Sequence, residues 1–427
     1  MLQNFFKKIS LIIKDPSLRR RILFVVVALV VFRFLSTIPV PGVDPLKLAA
    51  FFNSSTGDIF GLFNIFSGGG LSNFSIVMLG VGPYITASIV MQLLTMIFPK
   101  LKEMYQEEGE AGRAKFTQYS RLLTVPLALI QGGGFILLLE KSGVITQLGA
   151  LGMITNIMII IGGSVLLMWI GELMTEFGIG NGTSLIIFAG IVASVPTSLA
   201  QLLVTFSPSQ IPLYIGFAVV ALLVVLGVVI VTEAERPIPV TYAKRVRGSK
   251  VYGGVSTYLP LRVNQAGVIP IIFALSILLF PQMIFQFLST AVSNGTLKAA
   301  FTFILDILKN GWFYSIFYFI LVFLFTYFYT AVTFDPHAIS ENLQKNGAFI
   351  PGVRPGQPTS EYIAKVLTRI TFVGATFLGL IAVLPLAMKA VTGIQSLAIG
   401  GTALLIVVSV VIDLMKKVDA QVSMREY

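Results

Sequence analysis

Side chains able to run chemistry are few in this chain and rarely near one another. Its one histidine, His337, follows Asp335 and Pro336 with no second metal ligand or nucleophile at a useful spacing. It reads as a surface residue. The absence of cysteine removes disulfides, thiolate metal sites and cysteine nucleophiles, and leaves the compartment open. The run Gly178-Ile179-Gly180-Asn181-Gly182 matches neither a P-loop nor a dinucleotide pattern, so tight-turn chemistry accounts for it. An intramembrane enzyme needs a catalytic pair at depth, such as Ser/His or two aspartates, and none is present. These residues point to a non-enzyme with no cofactor and no metal site.

More informative are polar residues embedded in apolar sequence, where they are costly and usually functional. Thr86, Ser88, Gln92 and Thr95 share one apolar stretch, with Ser88 and Gln92 at i, i+4 on one face. Asn264, Gln265 and Ser276 mark another. Uncharged groups of this kind either glue helices together or line an interface that opens, since weak contacts break and re-form. Carboxylates are nearly missing from such stretches. Glu172 and Asp413 sit at one end of theirs and Glu140 at the opposite end, where snorkelling is cheap. Arg33 is the one deep charge, and structural pinning is its expected role. No proton relay or ion-coordinating cluster emerges.

Ten apolar stretches carry these residues, at about 22–40, 73–98, 121–139, 153–171, 183–200, 211–231, 266–289, 312–333, 366–388 and 395–415. Each approaches the ~20 residues a helix needs to cross a hydrocarbon layer. With the N-terminus in the cytoplasm, 24 of the 30 Lys and Arg fall on inside segments. Only Lys47, Lys141, Lys298, Lys309 and Lys389 fall outside. That asymmetry follows the positive-inside rule and predicts ten spans with both termini cytoplasmic. The net charge of +11 therefore reflects insertion topology and affinity for anionic lipid rather than nucleic-acid binding. At 427 residues and 56% hydrophobic, the chain is too apolar for a soluble domain. The first stretch ends in Ile38-Pro39-Val40-Pro41-Gly42 and reads as a retained span, not a cleaved signal peptide.

Residues 1–21 pattern as an amphipathic cytoplasmic helix, with Leu2, Phe5, Phe6, Ile9, Ile12 and Ile13 as its apolar stripe. Five spans fill 22–200 and five fill 211–415, joined by a short outside loop at 201–210, with a cytoplasmic tail at 416–427. An odd number of spans per half forces the halves into opposite orientations. The expected fold is thus an all-α integral membrane protein of ten transmembrane helices in two inverted five-helix halves, with a pathway at their interface. Two inside connections, 232–265 and 334–365, are long, polar and rich in turn formers. They either dock partners or only fix topology. The outside segment 59–71 is apolar but too short to span. Its Phe60, Phe63 and Phe66 recur at helical spacing, and glycines at 68–70 lead into the second span. It is a re-entrant half-helix, a movable stopper, or a helix resting on the outer leaflet.

Across essentially its whole length the chain resembles the SecY family, the channel subunits of the bacterial protein-conducting translocon. The carriers are Phe32-Arg33 through Gly42, Phe66-Ser67-Gly68-Gly69, and Gly82-Pro83-Tyr84-Ile85-Thr86-Ala87-Ser88-Ile89. GIGNG at 178–182, IIFAGI at 186–191, YAKR at 242–245 and NQAGVIP at 264–270 follow. GAFIPGVRPG at 347–356, GGTALLIVV at 400–408 and Asp413 complete the set.

The resemblance implies a clamshell around a central hourglass pore, clasped by a small SecE subunit and accompanied by SecG. It implies a pore ring of Val81, Ile85, Ile187, Ile272 and Ile406. The last ring position falls on Thr183, where relatives usually carry isoleucine; either the ring is more polar there or Thr183 lies outside it. The plug becomes Phe60, Phe63, Asn64, Phe66, Ser67, Gly68 and Gly69. A lateral gate is implied between Thr86, Ser88 and Gln92 on one side and Ser276 and Phe280 on the other. Lys244, Arg245, Arg247, Lys250 and Arg354 are implied as docking residues for the SecA motor and for ribosomal RNA phosphates. Signal sequences and nascent polypeptides are the implied cargo, and the bacterial plasma membrane the implied location. The rival reading, a secondary transporter of a small solute, requires a polar or charged site at mid-membrane, where these stretches are aliphatic.

Overall fold

The computed structural model describes residues 15–52, 67, 69–71, 73–141, 143–145, 149–204, 208, 211–242, 245–247, 250–252, 256–292, 295–392 and 395–423. Each of the ten apolar stretches carries a helix: α1 (Pro16–Leu35), α3 (Gly82–Ile97), α5 (Gly109–Lys141), α6 (Ala150–Phe177), α7 (Gly182–Val204), α8 (Ile211–Glu233), α9 (Ile269–Ala291), α11 (Gly311–Thr333), α13 (Gln357–Thr392) and α14 (Gln395–Ser423). Between them lie the shorter helices α2 (Pro45–Phe52), α4 (Pro99–Gln106), α10 (Gly295–Lys309) and α12 (Pro336–Lys345). The chain forms two compact units. One gathers Met1–Pro212, Leu275–Phe313 and Val410–Tyr427; the other gathers Leu213–Ala274 and Tyr314–Ser409.

The helix bounds follow local chemistry. Asp15 caps α1 by accepting from the backbone N–H of Ser17 at 2.9 Å, with Pro16 at the first helical position. Pro16–Arg21 are therefore continuous with the first span, and residues 1–14 of the expected amphipathic helix lie outside the described residues. At the end of α3, Pro99 pushes Phe98 into an extended conformation, and α3 and α4 bend by 117°. Helix α8 is apolar all round, and Val228 is its buried residue. Such a helix is stable only with lipid or a partner around it.

The second apolar stretch is a helix only from Gly82. Residues 73–81 are a run of turns, with Phe74 and Gly80 at positive φ. Its backbone pairs with 38–40: Val40 N–H donates to the Phe74 carbonyl at 2.8 Å and Ile76 N–H to the Ile38 carbonyl at 3.0 Å. Helix α6 seals the back of this run. Ser164 Oγ donates to the Gly80 carbonyl at 3.2 Å, and Asn156 Nδ2 to the Pro41 carbonyl at 3.1 Å. A β-carbon on Gly163 would stand 2.0 Å from the Ile76 carbonyl oxygen. Around this seam Leu71, Phe74, Met78, Phe135, Ile136 and Ile160 form the main core of the first unit.

In the second unit, the connections 232–265 and 334–365 build one structure rather than two loops. Strand β1 (Glu235–Tyr242) pairs antiparallel with β4 (Ser256–Arg262) from Glu235↔Arg262 to Thr241↔Ser256. It also pairs with β5 (Ala348–Phe349). Between β1 and β4, the short β2 (Arg245–Arg247) and β3 (Lys250–Tyr252) form a separate hairpin. Ile238, Val240, Leu261, Ala348, Ile350 and Ile363 bury a small core beneath the three-stranded sheet.

Gly163→Ala is expected to lower the thermal unfolding midpoint of the detergent-solubilised protein, by overpacking worth about 1–3 kcal/mol or more. Gly162→Ala, where an added β-carbon meets nothing within 4 Å, should leave it nearly unchanged. Equal midpoints for the two variants would contradict the seam.

Candidate conduit, gate and docking residues

The ring residues divide between the two units. In the first, Val81 is fully buried at the N-cap of α3, Ile85 is half-buried one turn on, and Ile187 is buried on α7. In the second, Ile272 on α9 and Ile406 on α14 are buried. Helices α3, α7 and α9 contain no charged residue.

Thr183 is held by local chemistry. Asn181 caps α7, its Oδ1 accepting from Ser184 N–H at 3.2 Å and from Thr183 Oγ1 at 2.5 Å. The Thr183 methyl faces Gly171 of α6, where an added β-carbon would stand 3.1 Å away. The glycines beside it are demanded by geometry. Gly180 has φ +94°, and a β-carbon on Gly182 would stand 2.0 Å from the Gly171 carbonyl oxygen.

Of the plug residues, Phe60, Phe63, Asn64, Phe66 and Gly68 lie outside the described residues. Ser67 is buried, and its Oγ accepts from Leu71 N–H at 3.0 Å. Gly69 has φ +80°, and its missing β-carbon would lie 3.7 Å from Arg33 Nη1. Arg33 therefore reaches the backbone just ahead of the run of turns leading into α3. A β-carbon on Gly70 would stand 2.9 Å from Ser75 Oγ, so this glycine serves close packing as well as flexibility.

The polar groups of α3, among them Thr86, Ser88 and Gln92 expected at a gate, bond within their own helix. Thr86 Oγ1 donates to the Gly82 carbonyl at 3.0 Å, Thr95 Oγ1 to the Gln92 carbonyl at 2.6 Å, and Gln92 Nε2 to Ser88 Oγ at 3.4 Å. Ser276 is half-buried on α9, and Phe280 lies on the same helix. The side-chain carbonyls of Gln92, Gln131, Asn264 and Gln282 are buried with no hydrogen-bond partner. Gln131 borders an apolar cavity of about 600 Å³ lined by Leu137, Ile154, Ile157, Ile284 and Leu288, all within the first unit.

Among the docking residues, Arg245, Arg247 and Lys250 belong to the β2–β3 hairpin, with Arg247 opposite Lys250; Lys244 lies outside the described residues. Arg354 is exposed, in a turn held at two points. Thr359 Oγ1 donates to the Arg354 carbonyl at 2.8 Å, and Ser340 Oγ to the Gly356 carbonyl at 2.6 Å. His337 serves through its backbone: with Ala338 it donates to the Asp335 side chain that caps α12. Asp413 pairs with Lys417 at 2.8 Å.

One constellation is not evident from spacing. Arg121 Nε on α5 donates to Glu172 Oε1 on α6 at 2.8 Å, and Tyr84 Oη on α3 donates to the same oxygen at 3.4 Å. One carboxylate thus ties the helix bearing Val81 and Ile85 to two neighbours. The three residues come from helices far apart in sequence, and only Glu172, an acid near a span end, gives a signal.

Long apolar helices, buried aliphatic side chains on the uncharged α3, α7 and α9, and basic turns beyond them mark a multi-pass membrane protein. The SecY family model matches residues 75–415. The protein translocase subunit SecY of Streptomyces coelicolor is 41% identical over 430 residues, covering 97% of each chain. That of Thermotoga maritima is 42% identical over 425 residues, covering 97% of this chain and 95% of the relative. Among solved structures, one described as a protein-conducting channel superposes with TM-score 0.67 at 20% identity, covering 96% of this chain and 93% of that one. Sec61 from a canine ribosome-channel complex does so with TM-score 0.65 at 18% identity, with the same coverage.

The chain belongs to the SecY family. It is a channel subunit of a protein translocase, not an enzyme, and the solute-transporter alternative falls away. In thermal unfolding in detergent, Glu172→Gln and Arg121→Gln should each lower the midpoint. A double-mutant cycle should show coupling on the order of 0.5 kcal/mol for this partly exposed pair. Strict additivity would contradict the clasp.

Proposed function

We propose that this subunit moves unfolded secretory polypeptides through a constriction made by Val81, Ile85, Ile187, Ile272 and Ile406, and releases hydrophobic segments sideways into lipid. The observation that carries this reading is the uncharged character of α3, α7 and α9 in a chain of the translocase channel family. Aliphatic side chains offer no hydrogen bonds, dewet when apposed, and seal around a passing chain of almost any sequence. Thr183 is left out of the ring, because its hydroxyl and methyl are engaged by Asn181 and α6.

The plug, residues 59–71, stoppers the resting channel from the side opposite the basic loops. The lateral gate uses Thr86, Ser88 and Gln92 of α3 with Ser276 and Phe280 of α9. Polar groups already bonded within their own helix lose little when neighbouring helices part. A segment of Leu, Ile or Phe then leaves for the bilayer with a gain of about 0.3–0.6 kcal/mol per residue. The exposed turn at Arg354 and the hairpin of Arg245, Arg247 and Lys250, with Lys244 beside it, dock the SecA motor or the ribosome. Ribosomal RNA phosphates meet such a surface through salt-sensitive, sequence-blind contacts. Energy comes from these partners. SecE and SecG complete the complex, and anionic lipids bind the basic side. The chain resides in the bacterial plasma membrane, with both termini and both docking loops cytoplasmic, as its charge asymmetry supports.

In vesicles containing the reconstituted complex, Arg354→Glu should reduce motor-driven translocation of a secretory precursor about tenfold or more, as expected for loss of a charged anchor. Undiminished transport would remove the docking assignment. Deleting 60–69 should raise ion conductance of the resting channel; an unchanged leak would favour a helix lying on the outer leaflet instead.

A further inference from the structure

Helix α10 lies between the seventh and eighth apolar helices and presents three distinct faces. At ~100° per residue, Phe301, Ile304, Leu305 and Leu308 share one face. Leu305 is 4% exposed and the other three are half-buried. Phe301 meets Phe285 of α9 with ring centroids 6.0 Å apart. A second face carries Lys298, Thr302 and Asp306, all exposed. The third is apolar and exposed: Ala300, Phe303 and Ile307, with Phe303 at 66% and Ile307 at 38%.

A water-facing helix has no use for that third face, and its position fixes what covers it. Asn310 alone joins α10 to α11. Its N–H donates to the carbonyls of Asp306 and Ile307 at 3.1 and 3.2 Å, closing α10. Its Oδ1 accepts from Trp312 N–H at 3.1 Å and Phe313 N–H at 3.4 Å, opening α11. Gly311–Lys345 is long and apolar enough to cross a membrane, so α10 ends at the threshold of a span. Trp312, in the first turn of α11, is 81% exposed, as expected of an aromatic anchor at the headgroup level. Tethered at that depth, an apolar sector beside a polar one matches the segregation of an interfacial helix.

We infer that α10 is an interfacial lipid-binding helix, with Ala300, Phe303 and Ile307 among the acyl chains and Lys298 and Thr302 at the headgroups. The leaflet is the one away from the basic docking loops, a point that rests on the sidedness proposed above. Through Phe301 and Phe285 the lipid surface bears on α9, so the bilayer steadies one end of a gate helix.

Because the native chain has no cysteine, single-cysteine variants need no other change. Phe303→Cys, Ile307→Cys and Thr302→Cys would each be labelled with an environment-sensitive fluorophore in the full translocase complex. The vesicles would be phosphatidylethanolamine and phosphatidylglycerol containing lipids with a shallow nitroxide. Labels at 303 and 307 should be quenched by the nitroxide lipid several-fold more than by aqueous iodide, with the preference reversed at 302. Iodide quenching at 303 and 307 equal to that at 302 would overturn the inference. So would protection from both quenchers, which means that another protein covers the face. A membrane-impermeant maleimide should reach Thr302→Cys from the face opposite Arg354→Cys. Labelling of both from one face would overturn the leaflet assignment while leaving lipid contact intact, and neither readout depends on translocation activity.

Discussion

Backbone polar groups have no water to turn to at membrane depth, so a chain that leaves the helix there must supply every partner itself. Residues 73–81 find such partners in their own turns, in the paired segment at 38–40 and on the small-residue face of α6. Gly163 is where the constraint is tightest, since any side chain would strike the Ile76 carbonyl. What this seam supports is the start of α3, with Val81 at its cap and Ile85 one turn on. The clasp of Arg121 and Tyr84 on Glu172 holds the same helix from α5 and α6. The proposed constriction is thus built on a non-helical base, from which α3 begins.

The second unit solves a different problem. Two long connections, 102 residues apart at their starts by number (232 and 334), share one sheet and one small core. Pooling them gives the exposed Arg354 a fixed mount. Arg354 sits in a turn fixed by Thr359 and Ser340, while the β2–β3 hairpin is a separate sheet in which Arg247 pairs with Lys250. Helices α11 and α13 run directly into this structure, so the docking proposed above would bear on both.

How much of this was legible follows from the range of the interactions. Hydropathy is a local signal, so each of the ten apolar stretches carries a helix, though the bounds shift, as at 121–139 against Gly109–Lys141 and 73–98 against Gly82–Ile97. Caps are local too: Asp15 and Asp335 are readable from the residues that follow them. The small sheet was not legible, because Tyr242 and Ala348 find each other only through long-range pairing and neither loop looks like a strand alone. Nor was the break at 73–81, whose apolar composition reads as helix until the docking against α6 is known. The Arg121–Glu172–Tyr84 clasp failed for the same reason, and the aliphatic ring entered through family resemblance because isoleucine in a span carries no signal of its own. Helix α10 was hidden because it is too short to span and its polar face blends with the adjoining loop.

The central claim, proposed above, is that Ile85, Ile187, Ile272 and Ile406 face the passing polypeptide. The most direct measurement places a photo-crosslinking amino acid singly at 85, 187, 272 and 406, with a secretory precursor arrested midway through the reconstituted complex. The account predicts that all four positions crosslink to the precursor, and that labels on the exposed face of α8, such as Leu222, crosslink only to lipid. Crosslinking of 85, 187, 272 and 406 to lipid, with none to the precursor, would contradict it.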